Sequence, residues 1–279
     1  MSKMIKMPEY SIVIPIYNEE DNIKLLAEGI VNAMDSISDS YEVILVDDGS
    51  DDRSNELLKE LCAANRKFTT IVFQQNCGQT AAFDAGFKKA RGKIVITLDA
   101  DLQYDPMDIS LLLPKLGEYD VVCGYRKKRA DSWVKRISSK IANFARNRLS
   151  GENVRDTGCS LKAFKKECLQ NLKLYEGMHR FFPTLLKMEG YKITEVPVSH
   201  FPRKYGVSKY NIHNRLFKSF KDLIAVRWMQ KRYLNYKIVN EYSAEKSIPP
   251  SQIKGLEGRG KLYQSDTATH SVAKGPHPN

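Results

Sequence analysis

The feature that most constrains this chain is the rhythm of its N-terminal half, where short apolar, β-branched runs alternate with amphipathic stretches. Residues 10–16 (YSIVIPI), 41–47 (YEVILVD), 69–74 (TTIVFQ), 93–98 (KIVITL) and 119–124 (YDVVCG) are short, Val- and Ile-rich runs of the kind that form strands. Between them, 20–36, 52–65, 79–90 and 106–117 read as helices. Strand–helix–strand alternation predicts βαβ units and a parallel sheet covered by helices.

Beyond residue 124 the rhythm changes. A basic helix is expected at 132–149, a short Gly- and Cys-containing segment at 157–165, a helix near 179–188 and a strand near 191–198. Residues 212–234 carry Ile212, Leu216, Phe217, Phe220, Leu223, Ile224, Trp228 and Leu234 at helical spacing, with Lys and Arg on the other faces. This predicts a basic amphipathic helix. The aperiodic Ser, Pro, Gly and Lys of 239–279 predict a flexible tail. The organisation expected is a catalytic domain over 1–211, an amphipathic membrane-proximal segment over 212–238, and that tail.

Charge is distributed unevenly. Residues 126–148 hold nine Lys or Arg against one acid, and 203–237 hold ten against one, in a chain whose formal charge is +11. The rest of the chain is therefore net acidic, and the two basic segments imply anionic partners or two solvated helix faces. No apolar run reaches about 18 residues, and the first twenty positions lack a signal-peptide pattern, so a soluble or peripheral cytosolic chain is expected. Five cysteines, none spaced as CxxC, read as reduced and mostly buried thiols.

Acidic residues mark the strand ends. Asp99-Ala100-Asp101-Leu102-Gln103 follows an apolar run; if extended, residues two apart point the same way, so Asp99, Asp101 and Gln103 converge. Two carboxylates so placed suit Mg²⁺ or Mn²⁺ carrying a diphosphate; the plainer alternative is a polar loop with Asp105 capping a helix that starts at Pro106. Asp47-Asp48-Gly49-Ser50 ends the second run, with Gly49 for a tight turn and Ser50 or Asp51 as helix cap, leaving Asp48 to meet a nucleotide base. Tyr17, after the first run, is placed to stack on that base, and Glu19 to cap the next helix. Neither GxGxxG nor GxxxxGK[ST] occurs, which removes the main support for a dinucleotide-dependent dehydrogenase or a P-loop NTPase.

Taken in order, "PIYNEE", "VDDGS", "NCGQTAAFDAGFKKARG", "LDADLQYDP", "RDTGCSLKAF" and "RKYGVSKY" resemble glycosyltransferase family 2 with the GT-A fold, and within it the polyprenyl-phosphate glycosyltransferases. That group includes dolichyl-phosphate mannosyltransferases and bacterial undecaprenyl-phosphate sugar transferases. The resemblance runs from about residue 10 to 236. It implies an α/β fold with a mixed, mostly parallel sheet, and a metal-dependent transfer of sugar from a nucleoside diphosphate sugar to a polyprenyl phosphate. It also implies roles: Pro15, Tyr17, Glu19 and Asp48 at the nucleotide, Gln79 near the donor sugar or diphosphate, and Asp99, Asp101 and Gln103 at the metal and diphosphate. Asp156 falls near the acceptor, and Arg126, Arg203, Ser208 and Lys209 at the lipid phosphate or diphosphate. The chain would then work at the cytoplasmic face of a membrane, as a peripheral protein, alone or through a membrane-anchoring partner. Family members often continue into transmembrane helices, which this sequence does not contain.

Three other readings explain less. A polysaccharide synthase would carry QxxRW; Arg227-Trp228 is present, but position 224 is Ile. A nucleic-acid-binding module would account for the charge and aromatics but not for Asp47, Asp48, Asp99 and Asp101, which repel phosphates without a metal. A non-catalytic membrane adaptor accounts for the amphipathic helix alone.

Overall fold

The computed structural model describes residues 7–127, 155–203, 212–234 and 236, the backbone alone over 212–219. The chain divides into two units, 1–234 and 235–279, and of the second only Tyr236 is described. The expected basic helix at 132–149 and the whole of the expected tail, 239–279, lie outside the described residues.

In chain order the elements are β1 (Tyr10–Ile16), α1 (Ile23–Asp35), β2 (Tyr41–Asp47), α2 (Ser54–Ala64), β3 (Phe68–Val72), α3 (Gln79–Lys89) and β4 (Ile94–Thr97). There follow α4 (Ile109–Leu112), β5 (Val121–Arg126), β6 (Lys162–Lys165), α5 (Phe182–Met188), β7 (Ile193–Val198) and α6 (Ile212–Arg232). β1 and β2 have the bounds read from the sequence. The 106–117 stretch is instead α4 flanked by 3-10 turns, Pro106–Asp108 and Leu113–Gly117. Pro114 supplies no N–H for a continuous helical ladder, and Gly117 ends it.

The seven strands form one sheet in the order β3-β2-β1-β4-β6-β5-β7. Every pairing is parallel except those of β6, which runs antiparallel to both β4 and β5. The chain builds β1, β2 and β3 outward, then returns to lay β4 on the other side of β1. That reversal makes a crevice above the carboxyl ends of β1 and β4, where open α/β sheets bind ligands.

The two-residue period of β1 sorts its side chains: Ile12, Ile14 and Ile16 join one core and Val13 the other. The first core takes the apolar faces of α1, α2 and α4 through Ile23, Ile30, Met34, Leu58 and Ile109. The second takes α3 and α5, and there Phe83, Phe87, Phe164 and Phe182 meet in tilted, stacked and edge contacts 5.5–6.1 Å apart. Phe83, Phe164 and Phe182 are buried, and each such ring contributes about 1.5–3 kcal/mol. A third cluster joins Met178, Phe181 and Leu185 to Leu223 and Val226, fastening α6 to the body.

Candidate active site

Pro15 shows why the crevice opens where it does. β1 pairs with β4 only as far as Val13↔Thr97, while its pairing with β2 continues to Ile16↔Asp47. Val13 accepts from Leu98 on the β4 side and Ile16 from Asp48 on the β2 side, so Pro15 faces the side from which β4 has already departed. A residue without an N–H fits there, because no ladder bond is lost. Tyr17 and Glu19 stand just beyond, both half-buried.

The β1 and β2 exits are buckled together. Asn18 donates its backbone N–H to Ser50 Oγ (2.9 Å) and Glu19 to Ser54 Oγ (2.9 Å). In exchange, Asp51 donates its backbone N–H to Asn18 Oδ1 and Arg53 to Glu20 Oε2. Neither Ser50 nor Asp51 caps α2; Asp52 accepts from Ser54 instead, because Ser50 is engaged across the crevice. Glu19 does not cap α1 with its carboxylate, which accepts from the side chain of Asn22.

The acids after β2 are satisfied by neutral donors. Asp47, fully buried, accepts from Ser50 N and Asn55 Nδ2, both at 3.0 Å. Asp48 accepts from Cys77 N (2.7 Å), Gly78 N (2.9 Å) and Asn76 Nδ2 (3.1 Å), pinning the 76–78 loop. Burial still raises the Asp48 carboxyl above its ordinary range, against the pull of the Cys77 and Gly78 amides. Gly49 turns with φ +70, and a Cβ on it would lie 2.4 Å from the carbonyl carbon of Gln75. Only glycine therefore allows the loop this close.

The acids after β4 are held differently. Asp99 accepts from Gln79 Nε2 at 2.7 Å, across from the first residue of α3, and its own N–H donates to Ser160 Oγ. Burial, then repulsion by Asp101, push the Asp99 carboxyl up to about 6. Asp101 is buried and pairs with Arg203 Nη2 at 3.0 Å. Leu102 takes φ +57, so the segment is bent; Gln103 donates its backbone N–H to Asp101 Oδ1 at 3.2 Å and exchanges hydrogen bonds with Phe201 through its carbonyl and its side chain. Asp105 does cap the following turn, accepting from Met107 N at 2.9 Å.

Arg126 closes β5 and grips Asp156 with both arms of its fork, Nε at 2.6 Å and Nη2 at 2.8 Å. Burial disfavours the charge, but Asp156 more than compensates and holds the guanidinium firmly protonated. Asp156 thus pairs with Arg126, whereas Arg155 donates its backbone N–H to Glu195 and rests on the Tyr125 ring. Ser208 and Lys209 lie outside the described residues.

Several site residues carried no recognisable signal in the sequence. Ser160 fixes the Asp99 backbone, and Asn76 and Cys77 serve Asp48. Thr80 joins α3 to the α5 region by bonding His179 Nδ1 (2.7 Å) and accepting from Gly177 N (3.1 Å). Lys162 is buried in β6 and donates to the carbonyl of Cys159. The five cysteines are free, three of them buried, and Cys77 is exposed.

The mixed, mostly parallel sheet with acidic strand ends is the GT-A fold of glycosyltransferases, and solved structures agree on that fold. A mannosyltransferase from Pyrobaculum calidifontis, solved with GDP-Man and Mn²⁺, superposes with a TM-score of 0.60 at 19% identity, over 83% of this chain and 66% of that one. Glucosyl-3-phosphoglycerate synthase from Mycobacterium tuberculosis, solved with Mn²⁺, UDP and phosphoglyceric acid, gives 0.60 at 18% identity over 82% and 80%. Residues 11–173 match the profile of Glycosyl transferase family 2, and the chain belongs to that family. It is 38% identical over 229 residues to a dodecaprenyl-phosphate galacturonate synthase of Rhizobium johnstonii, covering 80% of this chain and 68% of the relative. It is also 38% identical over 218 residues to an undecaprenyl-phosphate 4-deoxy-4-formamido-L-arabinose transferase of Edwardsiella ictaluri, covering 77% and 66%. The chain thus spans about two thirds of the length of these curated relatives.

Proposed function

We propose that the chain moves a sugar from a nucleoside diphosphate sugar to the phosphate of a polyprenyl phosphate, with inversion, at the cytoplasmic face of a membrane. The observation that carries this reading is the pairing of acid with arginine at the crevice: Asp101 with Arg203, and Asp156 with Arg126. Acids collect a cation and arginines collect phosphate, which together fit a diphosphate donor and a phosphate acceptor. The two relatives named for polyprenyl-phosphate transfer support the acceptor.

Asp99 and Asp101 would hold Mg²⁺ or Mn²⁺. Among the described residues no cluster of three or more His, Cys, Asp or Glu forms a closed cage, so the remaining ligands would come from diphosphate and water, as suits a hard cation. The fit is supported by the placing of Asp99 and Asp101 two residues apart at the end of β4, where desolvation and mutual repulsion raise the Asp99 carboxyl and a divalent cation would offset both. When bound, the cation neutralises the charge that develops on the leaving diphosphate. Asp48 and Tyr17 would frame the base, and Gln79 would position Asp99. A UDP-sugar is favoured by the likeness of "RDTGCSLKAF" to bacterial members.

The acceptor needs no strong base. A phosphate monoester, with a second pKa of about 6, is mostly dianionic near neutral pH. One of its oxygens bonds to the anomeric carbon while the bond from that carbon to the diphosphate oxygen breaks, and the nucleoside diphosphate leaves with the electron pair. Asp156 then serves to orient Arg126 rather than to take a proton.

The described part of α6 presents two apolar faces. Leu223 and Val226 are buried against the body, while Phe220, Ile224 and Trp228 stand exposed along one stripe. Lys221, Arg227, Lys231 and Arg232 flank that stripe, a combination suited to anionic headgroups over an acyl boundary. No described helix is long and apolar enough to cross a membrane. The exposed stripe of α6 would contribute to attachment, with or without a membrane-anchoring partner.

The test is a panel of UDP- and GDP-sugars offered with Mg²⁺ or Mn²⁺ to a short polyprenyl phosphate and to the matching free alcohol. Transfer to the phosphate and none to the alcohol is expected. Equal rates with both would overturn the acceptor assignment.

A further inference from the structure

The two arginines on the site acids are held with unequal firmness. Arg126 makes two side-chain bonds to Asp156 and a third from its backbone N (3.3 Å), and Gly158 packs so close that a Cβ there would lie 3.0 Å from Arg126 Nη2. Arg203 makes a single hydrogen bond among the described residues, to Asp101 Oδ2, and its side chain is 30% exposed against 17% for Arg126. The backbone beside Arg203 is nonetheless tethered. Phe201 N donates to Gln103 O at 2.9 Å, and Gln103 Nε2 reaches back to Phe201 O at 3.5 Å. The guanidinium can thus leave Asp101 by side-chain rotation alone and stay beside the motif.

We propose that Arg203 is the exchangeable counter-ion of this site: it neutralises Asp101 while no divalent cation is bound, and passes to a diphosphate oxygen when cation and nucleotide arrive. Arg126 remains on Asp156 throughout. The inference rests on the reading of Asp99 and Asp101 as cation ligands. A guanidinium on Asp101 Oδ2 occupies lone pairs that a divalent ion needs, and two positive charges on one carboxylate repel. Once a diphosphate brings its negative charges, the same guanidinium has a better partner, since Arg binds phosphate oxygens well. Arg203 therefore opposes the free cation and assists the cation–diphosphate complex.

The test is Mn²⁺ binding followed by electron paramagnetic resonance on the full chain, wild type against Arg203→Met and Arg203→Gln, with Mn²⁺ alone and again with saturating UDP or GDP. The variants should bind Mn²⁺ alone about tenfold more tightly than wild type, and Mn²⁺ with nucleotide about tenfold more weakly, within the usual range of coupling between two ligands. A merely structural arginine would not reverse sign. The same direction of change in both titrations, or no change in either, overturns the proposal and leaves the cation site standing. Nucleotide binding by wild type with no saturable Mn²⁺ overturns the cation site and the proposal with it. Two variants at one partly exposed position, with melting curves, keep misfolding from passing as an answer.

Discussion

Two pairs of acids end parallel strands of this sheet, Asp47 and Asp48 after β2, and Asp99 and Asp101 after β4, and they solve the same electrostatic problem in opposite ways. The first pair is enclosed by neutral donors: the amides of Ser50, Cys77 and Gly78 and the side chains of Asn55 and Asn76. The second has the Gln79 side-chain amide and the Ser160 hydroxyl on Asp99, and the Gln103 backbone N–H and one borrowed cation, Arg203, on Asp101. Buried acids with enough N–H donors organise a loop. Acids with fewer N–H donors, pressed close enough to repel, are poised for a metal.

The comparison is broken most severely at the second pair. Asp99→Asn or Asp101→Asn should lower transfer about 10²–10³-fold or more, the usual effect of removing one element of charge stabilisation. The melting temperature of Asp99→Asn should hold or rise, since that variant relieves repulsion between the two acids. Steady-state transfer assays and thermal unfolding check both halves.

The mirror experiment at the first pair is Asp48→Ala. It strands Cys77 N, Gly78 N and Asn76 Nδ2, which should cost about 2–3 kcal/mol of stability. Urea unfolding should register that loss, whereas Asp99→Asn should show none.

A smaller effect sharpens the contrast through pH. Asp99 sits at about 6, so below that pH it is protonated and must shed the proton before it can ligate. Mn²⁺ affinity should therefore climb as pH rises through about 6, and fall by about tenfold per unit below it. Calorimetric titration between pH 5 and 8 follows the change, and Asp99→Asn should flatten it.

Much of this arrangement was legible in the sequence because strand ends announce themselves. The runs YSIVIPI and YEVILVD are bounded by acids and turn residues, and β1 and β2 follow those bounds. β6 was not legible: four residues, two of them lysines, with no apolar alternation, yet inserted antiparallel between β4 and β5. Its place is decided by long-range pairing, which a local pattern does not carry. The partners of the acids were hidden for the same reason, Arg126 and Asp156 standing 30 residues apart and Arg203 and Asp101 102 apart. Leu102 shows a local failure, since nothing in DADLQ announces that a leucine will take φ +57 and bend the segment. The stripe on α6 was legible as amphipathic but not as divided, because which apolar residues are buried depends on Met178, Phe181 and Leu185.

The smallest expected effect concerns that division. Trp228→Ser should leave stability within about 0.5 kcal/mol, as for an exposed side chain. It should weaken binding to vesicles containing anionic lipid by about tenfold, because it removes apolar surface from the exposed stripe. Leu223→Ala, in the buried part, should instead lower stability by about 2–4 kcal/mol. Vesicle sedimentation and thermal unfolding separate the two, and a Trp228 variant that binds vesicles as wild type does would place the attachment away from this stripe.

The division of labour between the two acid pairs is tested most directly by where a cation settles. Crystals soaked with Mn²⁺ and a nucleoside diphosphate, recorded near the manganese absorption edge, should show one anomalous peak within ligand distance of Asp99 and Asp101 and none at Asp47 or Asp48. A peak at Asp47 and Asp48, or a bound diphosphate with no peak at either pair, would contradict the account.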